Sequence, residues 1–158
     1  MGAAAAAVVV PLAAGCGGGA AGGLAGSGQE GGQVEVGSSA GSGRPVTGVD
    51  WRVDSVTAGG TTLRAPAGAR LRIDADGRAS GNLGCNLFSA QVTLHGDRIT
   101  FGGLRTTRMA CAPDRMTFER ALARVLGRQT LTARTDDGKL TLTTGHGERV
   151  NLVRITPH

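Results

Sequence analysis

The sequence predicts a mainly β protein: a small antiparallel sheet, strongly curved or closed into a barrel, with one α-helix packed against it. Three observations lead there. From Val49 onward apolar residues skip alternate positions, as in Trp51 and Val53 or Leu140 and Leu142, which is the period of a half-buried strand. Gly- and Asp-bearing turn signals separate these runs, as suits short strands joined by hairpins. One late stretch alone changes to the helical period, so a single helix accompanies about seven to eight strands.

The first elements precede the fold. The chain has 158 residues and 28 glycines, of which 14 fall in residues 1–46, so the fold lies in the remainder and is one small domain. Residues 1–16 read Met-Gly-Ala-Ala-Ala-Ala-Ala-Val-Val-Val-Pro-Leu-Ala-Ala-Gly-Cys, a short apolar core followed by small residues, which is the pattern of an export leader. Ala3 to Ala14 has about half the ~20 residues a transmembrane helix needs. Leu12-Ala13-Ala14-Gly15-Cys16 looks like a bacterial lipobox. Residues 1–15 are therefore expected to be a signal peptide cut before Cys16, whose thiol is acylated. No Lys or Arg precedes Val8, where a leader normally carries positive charge. Either the true start lies upstream or the segment is a low-complexity Ala-rich tail. Residues 17–44 are rich in Gly, Ser and Ala without periodic apolar residues, and such a chain cannot offset its conformational entropy by burial. Residues 16–45 are expected to be a lipidated cysteine and a tether reaching roughly 30 Å. Gly26-Ser27-Gly28-Gln29-Glu30-Gly31 matches GxGxxG, but no strand pattern precedes it and no helical pattern follows, so the match is chance.

The domain is expected over residues 46–158. Its strand signals are Trp51 and Val53, Leu71 and Ile73, Val92 and Leu94, Ile99 and Phe101, Leu140 and Leu142, and Val150 and Leu152. Gly59-Gly60, Asp76-Gly77, His95-Gly96-Asp97, Asp137-Gly138 and Gly145-His146-Gly147 lie between the runs. Asp137-Gly138 joins Leu131–Thr135 to Lys139–Thr143 and is the clearest hairpin. Phe118, Ala121, Leu122 and Val125 fall at i, i+3, i+4 and i+7. They define one face of a helix that starts near Pro113 and Asp114, with Asp as the cap, and stops at Gly127.

Charge and composition exclude several functions. Residues 1–46 carry a net −1 and residues 47–158 a net +6, but the bases are interspersed with acids, which is weaker than the patch of a nucleic-acid binder. The four aromatics, Trp51, Phe88, Phe101 and Phe118, fall mostly on apolar faces and give no stacking platform, so no nucleic-acid partner is expected. Sixteen of the 17 basic residues are Arg, a bias that with abundant Ala and Gly points to a GC-rich genome. No apolar run reaches the 18 or more residues of a mature membrane span.

Three stretches carry a family resemblance: Ser80-Gly81-Asn82-Leu83-Gly84-Cys85-Asn86-Leu87-Phe88, Leu104 to Cys111 with Thr107-Arg108-Met109-Ala110-Cys111 at its end, and the helix with Phe118-Glu119 and Leu122. With Trp51 in the first strand, they resemble the META domain family of HslJ-like heat-shock lipoproteins, over about Val46 to Ile155. The motif positions are Trp51, Gly81, Gly84, Cys85, Asn86, Thr107, Met109, Cys111 and Glu119. The resemblance implies a small barrel-like fold on envelope proteins, no established catalysis, and a link to stress and antibiotic tolerance.

Read physically, Gly81, Gly84 and the Asn residues allow positive φ and close backbone approach, as a bulge or corner requires. Cys85 and Cys111 are the thiols left once Cys16 is acylated, and an even pair in an exported chain favours a disulfide. Two buried free thiols, or a redox pair, are the alternatives; the spacing lacks the Cys-x-x-Cys of redox work.

Other chemistry is sparse. His95 and His146 sit in Gly-flanked turns and His158 ends the sequence; with two distant Cys they do not supply a zinc site. Asp74 and Asp76 begin like a calcium loop but lack its later ligands, so Asp74–Gly77 reads as a hairpin turn. No Gly-x-Ser-x-Gly elbow occurs, no Ser or Cys has a paired His, and Asp136-Asp137 sit together at a hairpin tip. No catalytic residue, metal or cofactor is expected. Arg105, Arg108 and Arg115 bracket Met109 to Cys111 and, with Arg70 and Arg72, form either a solubilising surface or a basic rim suited to anionic lipid or cell-wall polymer. The expectation is a non-catalytic lipoprotein held outside the cytosol by Cys16, monomeric, with the membrane and an envelope protein or cell-wall polymer as partners. A small-barrel carrier of an apolar ligand is the alternative, and the filling of the barrel decides between them.

Overall fold

The computed structural model describes residues 45–127 and 129–157. The expected leader, Cys16, the tether and His158 lie outside the described residues. Nine strands and one helix follow in order: β1 (Val49–Ala58), β2 (Thr61–Arg64), β3 (Arg70–Ile73), β4 (Arg78–Asn82), β5 (Leu87–His95), β6 (Arg98–Thr106), α1 (Pro113–Gly127), β7 (Thr130–Asp136), β8 (Lys139–Thr143) and β9 (Arg149–Arg154).

All neighbouring strands pair antiparallel, and β9 returns to pair with β1. Eight strands thereby close a barrel, β1-β3-β4-β5-β6-β7-β8-β9, which leaves no free edge within the ring. β2 lies outside it. β1 is ten residues long, so its first part pairs with β3 while Ser55 to Ala58 extend past β3 and pair with β2. β2 and β3 are thus two pieces of one interrupted strand. Pro66, in the interruption, has no amide to offer, and the neighbouring Ala65 and Ala69 backbones bond to Asp54 and Val53.

The apolar alternation points inward as expected. Trp51, Val53, Leu71, Ile73, Ile99, Phe101, Leu131, Leu140, Leu142, Val150 and Leu152 are all buried in one core. Val56, Leu140 and Leu142 are fully covered. Leu94 differs: it continues the alternation from Val92 but is exposed, because it lies at the end of β5 beside the His95–Arg98 hairpin, past the barrel wall.

Asp137 (φ 42°) and Gly138 (φ 74°) form the two-residue β7–β8 turn, the primed geometry whose twist matches the strands. Asp74 to Gly77 is the β3–β4 turn, closed by Gly77 N–H to Asp74 O at 3.1 Å.

α1 spans Pro113–Gly127 and buries Phe118, Glu119, Leu122, Val125 and Leu126. The cap differs from expectation. Pro113 is the first helical residue and the Ala112 carbonyl accepts from Met116, so Asp114 sits inside the first turn, where its charge opposes the helix dipole favourably. The helix packs on β1, β6 and β9. β1 and β6 are opposite each other in the ring, so a helix touching both lies across one mouth of the barrel.

Candidate functional site

Beneath α1 the chain places most of the motif residues together. The loop after β4 begins with Asn82, whose Oδ1 accepts from Gly84 N–H at 2.7 Å, a local turn of the kind Asn favours. Leu83 N–H then donates to Asn86 O at 2.9 Å. Gly84 has φ 118°, and a Cβ there would lie 3.0 Å from Phe118 Cδ1 and 3.1 Å from Pro66 Cγ. Only glycine meets both demands. Gly81 is required for a different reason than positive φ: a Cβ on it would be driven into the backbone carbonyl of Arg70 on β3.

Asn86 is the centre of the arrangement and is 3% exposed. Its backbone N–H and its Nδ2 donate to the two oxygens of Glu119, both at 2.7 Å. Its Oδ1 accepts from Met109 N–H at 2.6 Å and from Thr107 Oγ1 at 2.9 Å. Nδ2 also donates to Met109 O at 3.3 Å. These partners fix the amide orientation, since a flipped Asn86 would set donors against donors. Thr107 Oγ1 in turn accepts from Leu87 N–H at 3.1 Å. Glu119 comes from α1 and is 8% exposed. A buried carboxylate needs such bonds to offset its lost hydration. Among the described residues every buried side-chain nitrogen and oxygen has a partner.

A covalent bond joins the same two segments. Cys85 and Cys111 form a disulfide, with Cα atoms 6.0 Å apart across a sequence separation of 26, which settles the alternatives left open by the sequence. Gly84, Cys85, Asn86, Thr107, Met109, Cys111 and Glu119 therefore make one knot tying the 83–86 loop, the 107–112 segment and α1, while Gly81 lies outside it, on β4 against β3. Trp51 is apart from it. It is buried in the core and donates from Nε1 to Val46 O at 3.0 Å, fixing the start of the domain to β1.

The expected basic rim divides. Arg115 turns inward and donates to Gly84 O at 2.9 Å, joining the knot. Arg72 is bound to Asp74 at 2.8 Å and Asp50 at 2.9 Å, and these bonds raise its pKa further above the usual arginine range, Asp74 first and then Asp50. Arg70, Arg105 and Arg108 stay exposed. A shallow groove of about 400 Å³ lies on the outer wall between Arg70, Arg72, Ser80, Leu87 and Phe88. A second, of about 580 Å³, is rimmed by Trp51, Asp136, Asp137 and Arg154. His95, at the end of β5, and His146, in the β8–β9 turn, are both exposed. Among the described residues no three His, Cys, Asp or Glu side chains are grouped as metal ligands, and no helix is long and apolar enough to cross a membrane.

No pattern in the sequence directly signals that Asn86 and Glu119 meet across 33 positions. One signal existed: Glu119, Leu122 and Leu126 are spaced i, i+3 and i+7, which puts a carboxylate on the buried stripe of a helix, where it needs a partner.

Comparison with known proteins agrees with this architecture. An NMR structure of a protein from Burkholderia xenovorans superposes with a TM-score of 0.59 at 24% identity, covering 71% of this chain and 85% of that one. A second NMR structure gives a TM-score of 0.52 at 21% identity, covering 66% of this chain and 88% of that one. At these identities the likeness concerns the fold. No curated protein matches the sequence significantly. The META domain family model matches residues 44–156, a span that holds the whole barrel, α1 and the knot, and the chain belongs to the META domain family.

Proposed function

We propose that the protein is a non-catalytic lipoprotein, held at the extracytoplasmic face of a membrane by acylated Cys16, whose META barrel is a rigid binding or scaffolding module linked to envelope stress. The observation that carries this reading is the Cys85–Cys111 disulfide, because such bonds persist in oxidising compartments and are rare in the cytosol. The knot supports the non-catalytic part: the polar groups of Asn86, Thr107 and Glu119 are engaged with one another and hold backbone in place. The carrier reading needs an open interior. The inward positions instead hold fully buried large side chains, among them Trp51, Ile73, Leu131, Leu140 and Leu152, which weighs against it.

Intact-mass analysis of the protein purified from membranes tests the proposal. The expected species begins at a diacylated Cys16 and is two hydrogens lighter than the reduced form. A soluble chain retaining Met1, with Cys85 and Cys111 as free thiols, would overturn it.

A further inference from the structure

Four large apolar side chains are exposed among the described residues: Leu87 (52%), Leu94 (37%), Met109 (58%) and Ile155 (42%). The two most exposed are neighbours across the knot. Leu87 follows Asn86, and its N–H donates to Thr107 Oγ1 while its carbonyl accepts from Thr107 N–H. Met109 is held by Asn86 through both its N–H and its carbonyl. Two greasy tips are thus presented on backbone that is clamped by side-chain bonds and lies beside the Cys85–Cys111 bond.

Three exposed arginines neighbour them in the sheet or along the chain. Arg105 pairs with Ser89, so it shares the outer face of β5 with Leu87, two residues away. Arg70 pairs with Asn82, which pairs with Leu87, and Arg70 and Leu87 line the 400 Å³ groove together. Arg108 precedes Met109 and is exposed. None of the three makes an ion pair among the described residues. Across the sheet Arg70 pairs with Arg52, and of the two acids that flank Arg52 on β1, Asp50 is taken by Arg72 and Asp54 lies 3.9 Å from Arg64. Between residues 78 and 113 the one acid is Asp97, at the β5–β6 turn, the end of those strands away from Leu87.

We propose that this face, formed by Leu87 and Met109 within Arg70, Arg105 and Arg108, docks on an anionic lipid surface, the apolar tips entering the headgroup region and the arginines meeting lipid phosphates. The inference rests on the anchored reading above. Lipid fits this face better than a protein, because a stable protein interface buries on the order of 800 Å² per partner, far more than two side chains offer. A tethered domain needs much less: anchoring holds it near the bilayer at roughly millimolar effective concentration, where a weak contact is populated.

The test uses the full chain carrying Cys16→Ser, which removes the lipid and isolates the face, in co-sedimentation with vesicles of phosphatidylglycerol and phosphatidylcholine or of phosphatidylcholine alone. Binding is expected with the anionic vesicles. The triple variant Arg70→Gln, Arg105→Gln, Arg108→Gln is expected to bind roughly 100-fold more weakly, about fivefold per arginine. Leu87→Ser with Met109→Ser is expected to lose about tenfold. Arg98→Gln, Arg134→Gln, Lys139→Gln removes the same charge from another part of the barrel and should stay within about threefold of the parent. All variants change exposed side chains and should melt with the parent, so the readout is not unfolding. Equal binding to neutral vesicles, parent-like binding by either face variant, or an equal loss in the charge-matched control would overturn the proposal. An unmodified Cys16 in the mass analysis would instead defeat the anchored reading, and the two failures are distinguishable because the vesicle assay contains no lipidated protein.

Discussion

Replacing Glu119 by Gln keeps the side chain's shape and exchanges one carboxylate oxygen for an amide nitrogen. Both oxygens of Glu119 accept from Asn86 at 2.7 Å, so in either orientation the new NH2 group faces a donor. One charge-assisted bond, worth about 1.5–3 kcal/mol, is lost, and a buried donor is left unpaired at a cost of about 1–3 kcal/mol. No cavity forms, and part of the lost energy returns as the segment relaxes, so the net cost of Glu119→Gln is expected at about 2–4 kcal/mol. At about 4 °C per kcal/mol for a domain of this size, the melting temperature should fall by roughly 8–16 °C. The assay is thermal unfolding followed by calorimetry or circular dichroism at neutral pH, with the disulfide intact. Asp114→Asn, on the exposed first turn of α1, is the control and should cost at most about 1 kcal/mol. A Glu119→Gln protein that melts within about 2 °C of the parent would refute the assignment of Glu119 as the partner of Asn86.

Three further outcomes follow from the same structure. Reducing Cys85–Cys111, or replacing both by Ser, should cost about 3.5 kcal/mol on the chain-entropy account for a separation of 26; denaturant unfolding with and without reductant measures it, and an unchanged midpoint would contradict it. Gly81→Ala should be among the most damaging single changes, about 3 kcal/mol or more, since its Cβ meets the Arg70 backbone and not a side chain that can move; soluble yield and melting temperature report it. Gly138→Ala, at φ 74° where the added Cβ would make only an ordinary 3.9 Å contact with Arg154 Cβ, should cost about 1–2 kcal/mol through left-handed strain, read by the same melt, and a neutral result would show that the β7–β8 turn has another geometry.

The barrel was legible where side chains alternate and hidden where they do not. β1, β8 and β9 announce themselves through alternating large apolar residues, and β6 does so in its first half, at Ile99 and Phe101. β4 reads Arg-Ala-Ser-Gly-Asn and buries only Ala79; its place in the ring depends on Gly81 lying against the β3 backbone, which no hydropathy pattern records. β2 has only Leu63, half-buried, facing the protein, and it exists because β1 outruns β3. Leu94 shows the reverse error, an apolar residue in phase with its strand but beyond the core. Closure itself was open in the sequence, because pairing of β1 with β9 joins the two ends of the domain and no local signal fixes it. Of the knot, Cys85 and Cys111 were legible as a pair and Gly84 as a corner. The Asn86–Glu119 bond was not, since hydrogen bonds between distant loops and a helix leave no period. Arg115 could not be separated from Arg105 and Arg108 by sequence, because only the fold turns one toward the Gly84 carbonyl and the others to solvent.

The 107–112 segment has no regular secondary structure, yet Asn86, Glu119 and the disulfide clamp it and should hold it as firmly as the barrel. Native-state amide hydrogen exchange of the intact chain tests this at one atom, the Met109 N–H bonded to Asn86 Oδ1. Its protection should match that of the Val53 amide within β1 to about tenfold, with exchange only through global unfolding. Exchange of Met109 at the rate of an open loop, while Val53 stays protected, would contradict the account.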